Sequence, residues 1–446
     1  MTVYTELSLF FGIAVLITYF NEKIKNKLEI TIVLTGISLL VSFTLYLLKY
    51  FGISAFENRV IDIMHGIDFE NFVLNGILGF LIFAGSLNID LAVLKTQKWE
   101  VAIFSLLSTL ISTFIIGFLI FEIAKLVGIN IPLVYTLLFG ALISPTDPIA
   151  VLAIVKILKA PKRLSIQIEG ESLFNDGIGL VIFLTIFAAA YGGSSSHIEI
   201  GKVLGLFLHQ SIGGIIFGGV IWFVLDRLIM KTKEDALITL LTILGPTTGY
   251  VLALIFDFSG PLAMVVSGIL IGNITLNKKF ISNTDDGLSP QIARFEKQNL
   301  LAFWSMIEHF LNSVLFLLIG FAFVLLTFHT KDIILMFLAI PVCLLARYLS
   351  LRIPFTFMKR FKTYNPYTMH VLTWGGLRGA LGLAMALSIP NTIIIVAGHT
   401  IDIKNIILLM TYATVIFSIL VQGSTIKPFI LKSKKFDLEK IENEKK

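Results

Sequence analysis

Two polar motifs decide the fold of this chain: Ser144-Pro145-Thr146-Asp147-Pro148 and, after an apolar run and a basic turn, Glu171-Ser172-Leu173-Phe174-Asn175-Asp176. Each motif lies inside an apolar segment long enough to cross a bilayer. A carboxylate at membrane depth costs about 2.5–3.5 kcal/mol even on insertion scales, so by default it marks a functional site. Asp147, Glu171 and Asp176 therefore indicate a polar site held inside a membrane protein.

The composition extends this interpretation to the whole chain. Of 446 residues, 56% are hydrophobic and only 14% are charged, and the mean hydropathy is +0.90, whereas soluble chains carry about 25% charged residues. Long apolar stretches recur and no alternating strand pattern is visible, so we predict an all-α polytopic membrane protein and not a β-barrel. The single cysteine, Cys343, excludes an intramolecular disulfide.

The apolar segments predict thirteen transmembrane spans. They run over about 5–20, 30–49, 72–88, 101–121, 131–155, 165–191, 203–226, 236–256, 260–276, 299–328, 332–351, 367–389 and 405–426. With the N-terminus outside, 27 of the 35 basic residues fall in inside loops and six outside, while Arg347 and Arg378 lie within spans. This asymmetry predicts a cell-membrane protein with a cytoplasmic C-terminus, and it explains the net charge of +6 without nucleic acid.

The loops between the spans are too short for a soluble domain. Long predicted loops include 50–71, 277–298 and 390–404. We therefore expect one membrane transporter unit over 1–430 and a short charged cytoplasmic tail over 431–446, solvated or lying on the anionic leaflet. The first apolar segment has no basic region before it and no small-residue cleavage pattern, which predicts a retained helix.

Two predicted spans are interrupted at matching positions. The fifth contains Pro145 and Pro148, and the twelfth contains Gly375, Gly376 and Gly379. Interrupted spans at matching positions of two halves point to a transporter binding site, and their odd separation makes them run in opposite directions. We expect inverted repeats with two crossed broken helices.

The interruption at Asp147 predicts an oxygen-rich cluster. Both prolines delete a backbone donor and disfavour helix in the preceding residue, so 144–148 should be extended. Free carbonyls of Ser144 or Thr146, the Thr146 hydroxyl and the Asp147 carboxylate are ligands that hard cations such as Na⁺ take. The alternative is a proline kink in which Asp147 only caps the second half-helix.

The second motif distributes its polar groups over two helix faces. Ser172 and Asp176 are four residues apart, as are Glu171 and Asn175. The first pair offers a hydroxyl and a carboxylate to an ion, whereas Asn175 could tether the broken helix. Glu171 needs a buried cation, for which Arg347 and Arg378 are available. A purely structural polar network remains the alternative, and Glu308 stays open between a structural and a site role.

These motifs resemble those of the monovalent cation:proton antiporters of the sodium/proton exchanger class, in particular the prokaryotic cation:proton antiporter-1 type. The resemblance covers most of the chain and rests on four motifs in family order: the two quoted above, the second with Gly177; Asn312-Ser313 with Phe316-Leu317-Leu318-Ile319-Gly320; and Trp374-Gly375-Gly376-Leu377-Arg378-Gly379. It implies a non-enzymatic transporter without a cofactor, whose cargo is Na⁺ and H⁺.

The resemblance also implies a division of labour. A core domain, approximately 101–191 and 332–426, would move against a dimer-forming scaffold, approximately 1–100 and 200–330, in a homodimer. Glycine pairs at 213–214 and 218–219 would allow close helix approach within the scaffold. One departure concerns the position before Gly85, where many members carry an acidic residue and this chain carries Ala84.

For the site, the resemblance implies Asp176 as the main ion and proton carboxylate, helped by Asp147, Ser172 and the Thr146 backbone. Glu171 would pair with Arg347, and Arg378 would steady the helix crossing. Asn175, the residue before Asp176, matches the pattern of exchangers that move one proton per sodium ion, so the resemblance implies that stoichiometry.

We therefore expect exchange of Na⁺ or Li⁺ for H⁺ by alternating access. Burial disfavours the charged form of a carboxylate whereas a bound cation favours it, so the two ions should compete for Asp176. A K⁺/H⁺ antiporter uses the same oxygen ligands and is not separated by sequence. A cation channel needs no proton-titrating carboxylate, and an intramembrane aspartyl protease would carry Gly-x-Gly-Asp rather than Asn175-Asp176-Gly177.

Overall fold

The computed structural model describes residues 3–23, 29–51, 60–61, 66, 71–191, 200–282, 290–358, 365–396 and 399–444. The helices are α1 (Val3–Glu22), α2 (Ile30–Tyr50), α3 (Phe72–Asn88), α4 (Leu91–Thr96), α5 (Lys98–Val127), α6 (Leu133–Ile143), α7 (Ile149–Ile157), α8 (Lys162–Tyr191), α9 (Ile200–Lys231), α10 (Asp235–Ile255), α11 (Gly260–Phe280), α12 (Pro290–Phe321), α13 (Thr330–Met358), α14 (Thr368–Trp374), α15 (Ala380–Ser388), α16 (Ile403–Thr425) and α17 (Lys427–Glu444). The strands are β1 (Ile393–Val396) and β2 (His399–Asp402).

The all-α membrane fold is confirmed. Among the described residues, nine helices are long and apolar enough to cross a membrane, and α3 and α6 are shorter apolar helices. Each predicted span overlaps a helix or a pair of half-helices, but the number of membrane crossings stays a prediction. Much of the predicted loop 50–71 lies outside the described residues.

Both predicted interruptions are present. Helix α6 ends at Ile143 and α7 begins at Ile149, with the two prolines between them. Helix α14 ends at Trp374 and α15 begins at Ala380, with the glycine-rich segment between them. The half-helices are short because proline removes a donor and glycine adds backbone freedom at the breaks.

The helices pack in two groups. In one group, α5 packs on α6 and α13, while α16 packs on α13 and α15. In the other group, α12 packs on α2 and α3, while α11 packs on α9 and α3. Helix α8, which carries the second motif, packs on α6 in the first group and also contacts α9 and α11 in the second.

Glycines bring the packed helices close together, as predicted for α9. A Cβ at Gly214 would lie 2.7 Å from the Ser259 carbonyl oxygen, and one at Gly218 would lie 2.6 Å from the Ala263 carbonyl oxygen. Gly219 faces open space instead. Small residues therefore set the contact of α9 with the start of α11 at Gly214 and Gly218, whereas Gly213 faces the side chain of Phe258 in the segment before α11.

Two elements differ from the sequence expectation. The predicted loop 390–404 contains an antiparallel hairpin in which Ile393 pairs with Asp402 and Val396 with His399. The predicted tail forms most of α17, which packs against α14. Ile430 and Ser433 of α17 are buried, so its first turns belong to the packed structure and are not a solvated segment.

Candidate ion site at the crossing of two broken helices

The two interruptions cross at Asp147. The Asp147 amide donates to the Leu377 carbonyl at 2.8 Å. One residue on, the Arg378 guanidinium donates through Nη1 to the carbonyls of Ser144 and Pro145, the latter at 3.1 Å. The expected role of Arg378 at the crossing is thus matched by its contacts, because the guanidinium satisfies carbonyls that the broken helix α6 leaves free.

Gly379 is required by the crossing. A Cβ at this position would lie 2.6 Å from the Cβ of Asp147 and 2.9 Å from its Cγ. Real Cβ atoms do not approach so closely, so any larger residue at Gly379 would displace the carboxylate. The two broken helices are therefore in direct contact at the acidic group.

The extended segment is tethered to α8 by side chains of the second motif. Ser172 donates from its hydroxyl to the Thr146 carbonyl. Asn175 accepts from the Thr146 amide at 3.2 Å and donates to the Thr146 hydroxyl at 2.8 Å. Asn175 is fully buried. Its two hydrogen bonds tether the broken helix to α8, as predicted, and leave the Thr146 carbonyl next to Ser172.

Asp147 also caps the second half-helix, since its Oδ1 accepts from the Ile149 amide at 3.0 Å. This contact is the one expected from the alternative interpretation, a proline kink in which Asp147 only caps the second half-helix. It engages only one of the two carboxylate oxygens, and Asp147 also lines a cavity. Capping and exposure to the cavity therefore coexist at this residue.

Glu171 and Arg347 form the expected ion pair, with Oε1 and Nη2 2.7 Å apart and both side chains buried. Arg347 aims Nε and Nη2 at the Leu372 carbonyl, at 3.3 and 3.2 Å. The contact with Glu171 is thus ionic rather than an aligned hydrogen bond. It joins α8 to α13, and through Leu372 to α14, and so neutralises a charge in the protein interior.

A cavity of about 360 Å³, here called the central cavity, brings the acidic residues together. Its walls include Thr146, Asp147, Ser172 and Asp176, and the Asp147 and Asp176 carboxylates act on each other electrostatically. The cavity extends to Lys156 and Ile157 at the end of α7, next to the turn that the charge pattern places inside.

Sequence reasoning missed several residues of this cavity. Glu169, Lys156, His309, Asn312 and Glu29 all line it, as does Glu308, whose role was left open. The signal for Glu169 was available, because it precedes Ser172 by three positions and Asp176 by seven on one helix face. The others come from different helices, whose mutual packing the sequence does not state.

Ala84 contributes no ligand. It is fully buried, and its neighbour Gly85 lines the cavity. The position that is acidic in many relatives of the predicted class therefore places only a methyl group near the site.

Comparison with known proteins gives the same family. The family described as "Sodium/hydrogen exchanger, transmembrane" matches residues 50–432. The chain is 35% identical to the Na⁺/H⁺ antiporter NhaP of Pseudomonas aeruginosa, over 94% of this chain and 95% of that protein. It is 32% identical to the Na⁺/H⁺ antiporter NhaG of Bacillus atrophaeus, over 94% of this chain and 72% of that protein.

A solved structure shares the fold. The sodium proton antiporter MjNhaP1 from Methanocaldococcus jannaschii, solved at pH 8, superposes with a TM-score of 0.71. The match covers 96% of this chain and 98% of that chain at 18% identity. Together with the sequence matches, it shows that the chain is a multi-pass membrane transporter and belongs to the sodium/hydrogen exchanger family of monovalent cation:proton antiporters.

Proposed function

We propose that this protein exchanges Na⁺ or Li⁺ for H⁺, one for one, by alternating access, with the cation and the proton competing for Asp176. The observation that carries the proposal is the central cavity, which Asp147, Asp176, Ser172 and Thr146 line together. These residues supply two carboxylates, a hydroxyl and backbone oxygens, the ligand type that alkali cations take. The family match and the names of the relatives support the same exchange.

Charge explains why the two ions would alternate. Unoccupied, Asp147 and Asp176 place two negative charges beside the helix crossing, and the basic residues among the described lining of the cavity are Lys156 and His309. Moving two unpaired carboxylates through a dry barrier is costly. One Na⁺ or one H⁺ removes one unit of that charge, so both loaded states carry the same charge and both can cross.

The residue before Asp176 supports a one-for-one stoichiometry. Asn175 is an amide that is committed to Thr146 through two hydrogen bonds, so this position takes up no proton. Exchange of one Na⁺ for one H⁺ moves no net charge. Transport should therefore be electroneutral.

Alternating access would come from movement of a core domain, about 101–191 and 332–426, against a scaffold of about 1–100 and 200–330. The extensive packing of α5 on α6 and α13, and of α12 on α2 and α3, supports this division. The resemblance supports a homodimer formed through the scaffold, and the loop charges support an outside N-terminus and a cytoplasmic C-terminus.

K⁺ remains the second candidate cargo. Thr146, Ser172 and the two aspartates offer oxygen ligands to either ion, and the cavity volume of about 360 Å³ accommodates both with water. Comparison of Na⁺, Li⁺ and K⁺ in the same proteoliposomes decides between them. A channel is distinguished in that assay, since its flux neither saturates nor depends on an opposing proton gradient.

The decisive experiment uses Asp176→Asn in proteoliposomes. We expect cation-driven proton flux to fall to the level of empty liposomes, because the amide can neither release a proton nor neutralise a cation. Asp235→Asn, an exposed position at the start of α10, is the matched control and should exchange normally. Exchange at the wild-type rate in Asp176→Asn would contradict the assignment.

A further inference from the structure

One face of the scaffold helix α12 lies along the central cavity. Ser305, Glu308, His309, Asn312 and Leu315 all line it, at spacings of three, four and seven residues. This spacing keeps side chains on a single helix face. The part of the cavity wall that α12 forms is therefore partly polar, and α12 belongs to a different packing group from the two broken helices.

Asn312 is a buried amide whose oxygen has no partner among the described residues. Its side chain is only 3% exposed, and Oδ1 accepts no hydrogen bond. Its neighbour Ser313, by contrast, donates to the His309 carbonyl at 2.8 Å. Leaving a buried acceptor unpaired costs about 1–3 kcal/mol, so such a group calls for a ligand that the protein itself does not supply.

Glu308 lies one turn before Asn312 and is also unpaired within the described part of the chain. It has neither an ion pair within 4.0 Å nor a hydrogen bond there, although it interacts electrostatically with Asp147, Glu169 and Lys156, which line the same cavity. Residues four apart on a helix have Cβ atoms about 5–6 Å apart. The Glu308 carboxylate and the Asn312 amide therefore lie next to each other on the stretch of α12 that lines the cavity.

We propose that Glu308 and Asn312 form a second site for a monovalent cation on the scaffold wall, occupied before the cation reaches Asp147 and Asp176. The proposal rests on the proposed function, since it adds a station on the same route. A carboxylate and an amide oxygen are two hard ligands, and water in the cavity supplies the rest. The cavity volume of about 360 Å³ is many times the roughly 10–15 Å³ that one water needs.

The site would set apparent affinity rather than turnover. It would stay with the scaffold when the core moves, so it would be present only while Asp176 faces this cavity. A cation held there raises the local concentration beside Asp176, whereas the proton can be delivered through water. We therefore expect the two residues to act on the KM for the cation and to leave kcat nearly unchanged.

The test compares Glu308→Gln and Asn312→Leu with Glu169→Gln in proteoliposomes. Glu169 lines the same cavity from a different helix, α8, so its variant removes one negative charge without touching the proposed ligand pair. We expect the KM for Na⁺ to rise about tenfold or more in the first two variants, as for loss of a charge-assisted contact, and clearly less in Glu169→Gln. Equal increases in the KM for Na⁺ in Glu308→Gln and Glu169→Gln would show that the effect comes from the total charge of the cavity, and would overturn the proposed site.

A binding measurement separates this proposal from the proposed function. Equilibrium binding of radioactive Na⁺ is measured in detergent with Asp176→Asn and with Asp176→Asn combined with Glu308→Gln. Residual binding that the second substitution abolishes supports the scaffold site, and identical binding in both overturns it. The assignment of Asp176 stands or falls separately, on the loss of exchange in Asp176→Asn.

Folding of the variants is checked by thermal unfolding. Asn312→Leu removes an unpaired oxygen and fills similar volume, so its stability should match or exceed that of the wild type. An unchanged KM for Na⁺ in both folded variants, with normal exchange, overturns the scaffold site and leaves the antiport proposal intact.

Discussion

At the scale of single residues, the buried ion pair between Glu171 and Arg347 should carry a large part of the stability of the core. Glu171→Ala leaves Arg347 charged and without its acid partner, which we expect to lower the unfolding free energy by about 3–5 kcal/mol. Thermal unfolding in detergent measures this. Glu122→Ala, which breaks an exposed pair with Lys125 at 3.2 Å, is the control and should cost at most about 1 kcal/mol. Similar losses in both variants would show that burial does not matter here.

Gly379 gives a second prediction at this scale. Gly379→Ala should sharply reduce exchange, because the new methyl group must push the Asp147 carboxylate from the crossing. Gly219→Ala in α9 is the control, since a Cβ there meets nothing within 4 Å. Cation-driven proton flux in proteoliposomes measures both. Normal flux in Gly379→Ala would mean that the crossing tolerates a shift of Asp147.

The residues of the site were predictable where one helix fixes their spacing. Ser172, Asn175 and Asp176 follow from positions within α8, and the break at Asp147 follows from its two flanking prolines. Asn312 was visible only as part of a motif, because its lack of a partner depends on how α12 packs. The spacing of side chains on one helix can be predicted from its sequence. Contacts between distant helices depend on packing that no single segment specifies.

At the scale of elements, Asp90 joins two helices outside the membrane-spanning segments. It caps α4 by accepting from the Ala92 and Val93 amides, and it pairs with Lys162 at the start of α8 at 2.6 Å. The Lys162 hydrogen bond lowers the pKa of Asp90 below its ordinary value. The charged form is thus favoured in the folded state, so its contribution is present at neutral pH and is lost as pH falls below about 4.

Asp90→Asn isolates the charge, since asparagine caps helices about as well as aspartate. We expect it to lower stability by no more than about 1 kcal/mol at neutral pH, because the pair is largely exposed. The difference from wild type should shrink as the pH falls below about 4, because protonation of Asp90 removes the charge that Lys162 binds. Thermal unfolding at neutral and at acid pH checks this, and a difference that does not shrink in acid would assign the effect to packing.

The elements that sequence reasoning missed have identifiable physical causes. The run Ile393–Val396 consists of β-branched residues, which favour strands, but four residues are too few to separate a strand from a loop. Helix α17 contains many lysine and acidic residues, a composition typical of a solvated segment. However, the rings of Phe429 and Trp374 stack with their centroids 5.7 Å apart, and Lys434 donates to the Leu158 carbonyl at 2.8 Å. Its order comes from tertiary contacts, which composition does not reveal.

At the scale of the whole molecule, the central cavity should be open to the side where α7 ends. Cys343 is the only cysteine in the sequence and is buried, so Cys343→Ser provides a background for labelling. In it, Ala153→Cys, which lines the cavity, should react with an impermeant maleimide in inside-out vesicles only. His329→Cys, exposed at the opposite end between α12 and α13, should react in right-side-out vesicles only. The reverse pattern would invert the predicted orientation.

The fastening of the two broken helices to each other constrains the energetics of a transport cycle. Asp147 is bound to Leu377, and Arg378 holds the carbonyls before it, so hydrogen bonds fasten the two broken helices to each other at Asp147. In the proposed cycle, an ion that leaves toward either compartment would depart from the same oxygens. A difference between the dissociation constants of the cation on the two sides of the membrane would then come from groups that do not move with the core. The side chains of α12 that line the central cavity are such groups.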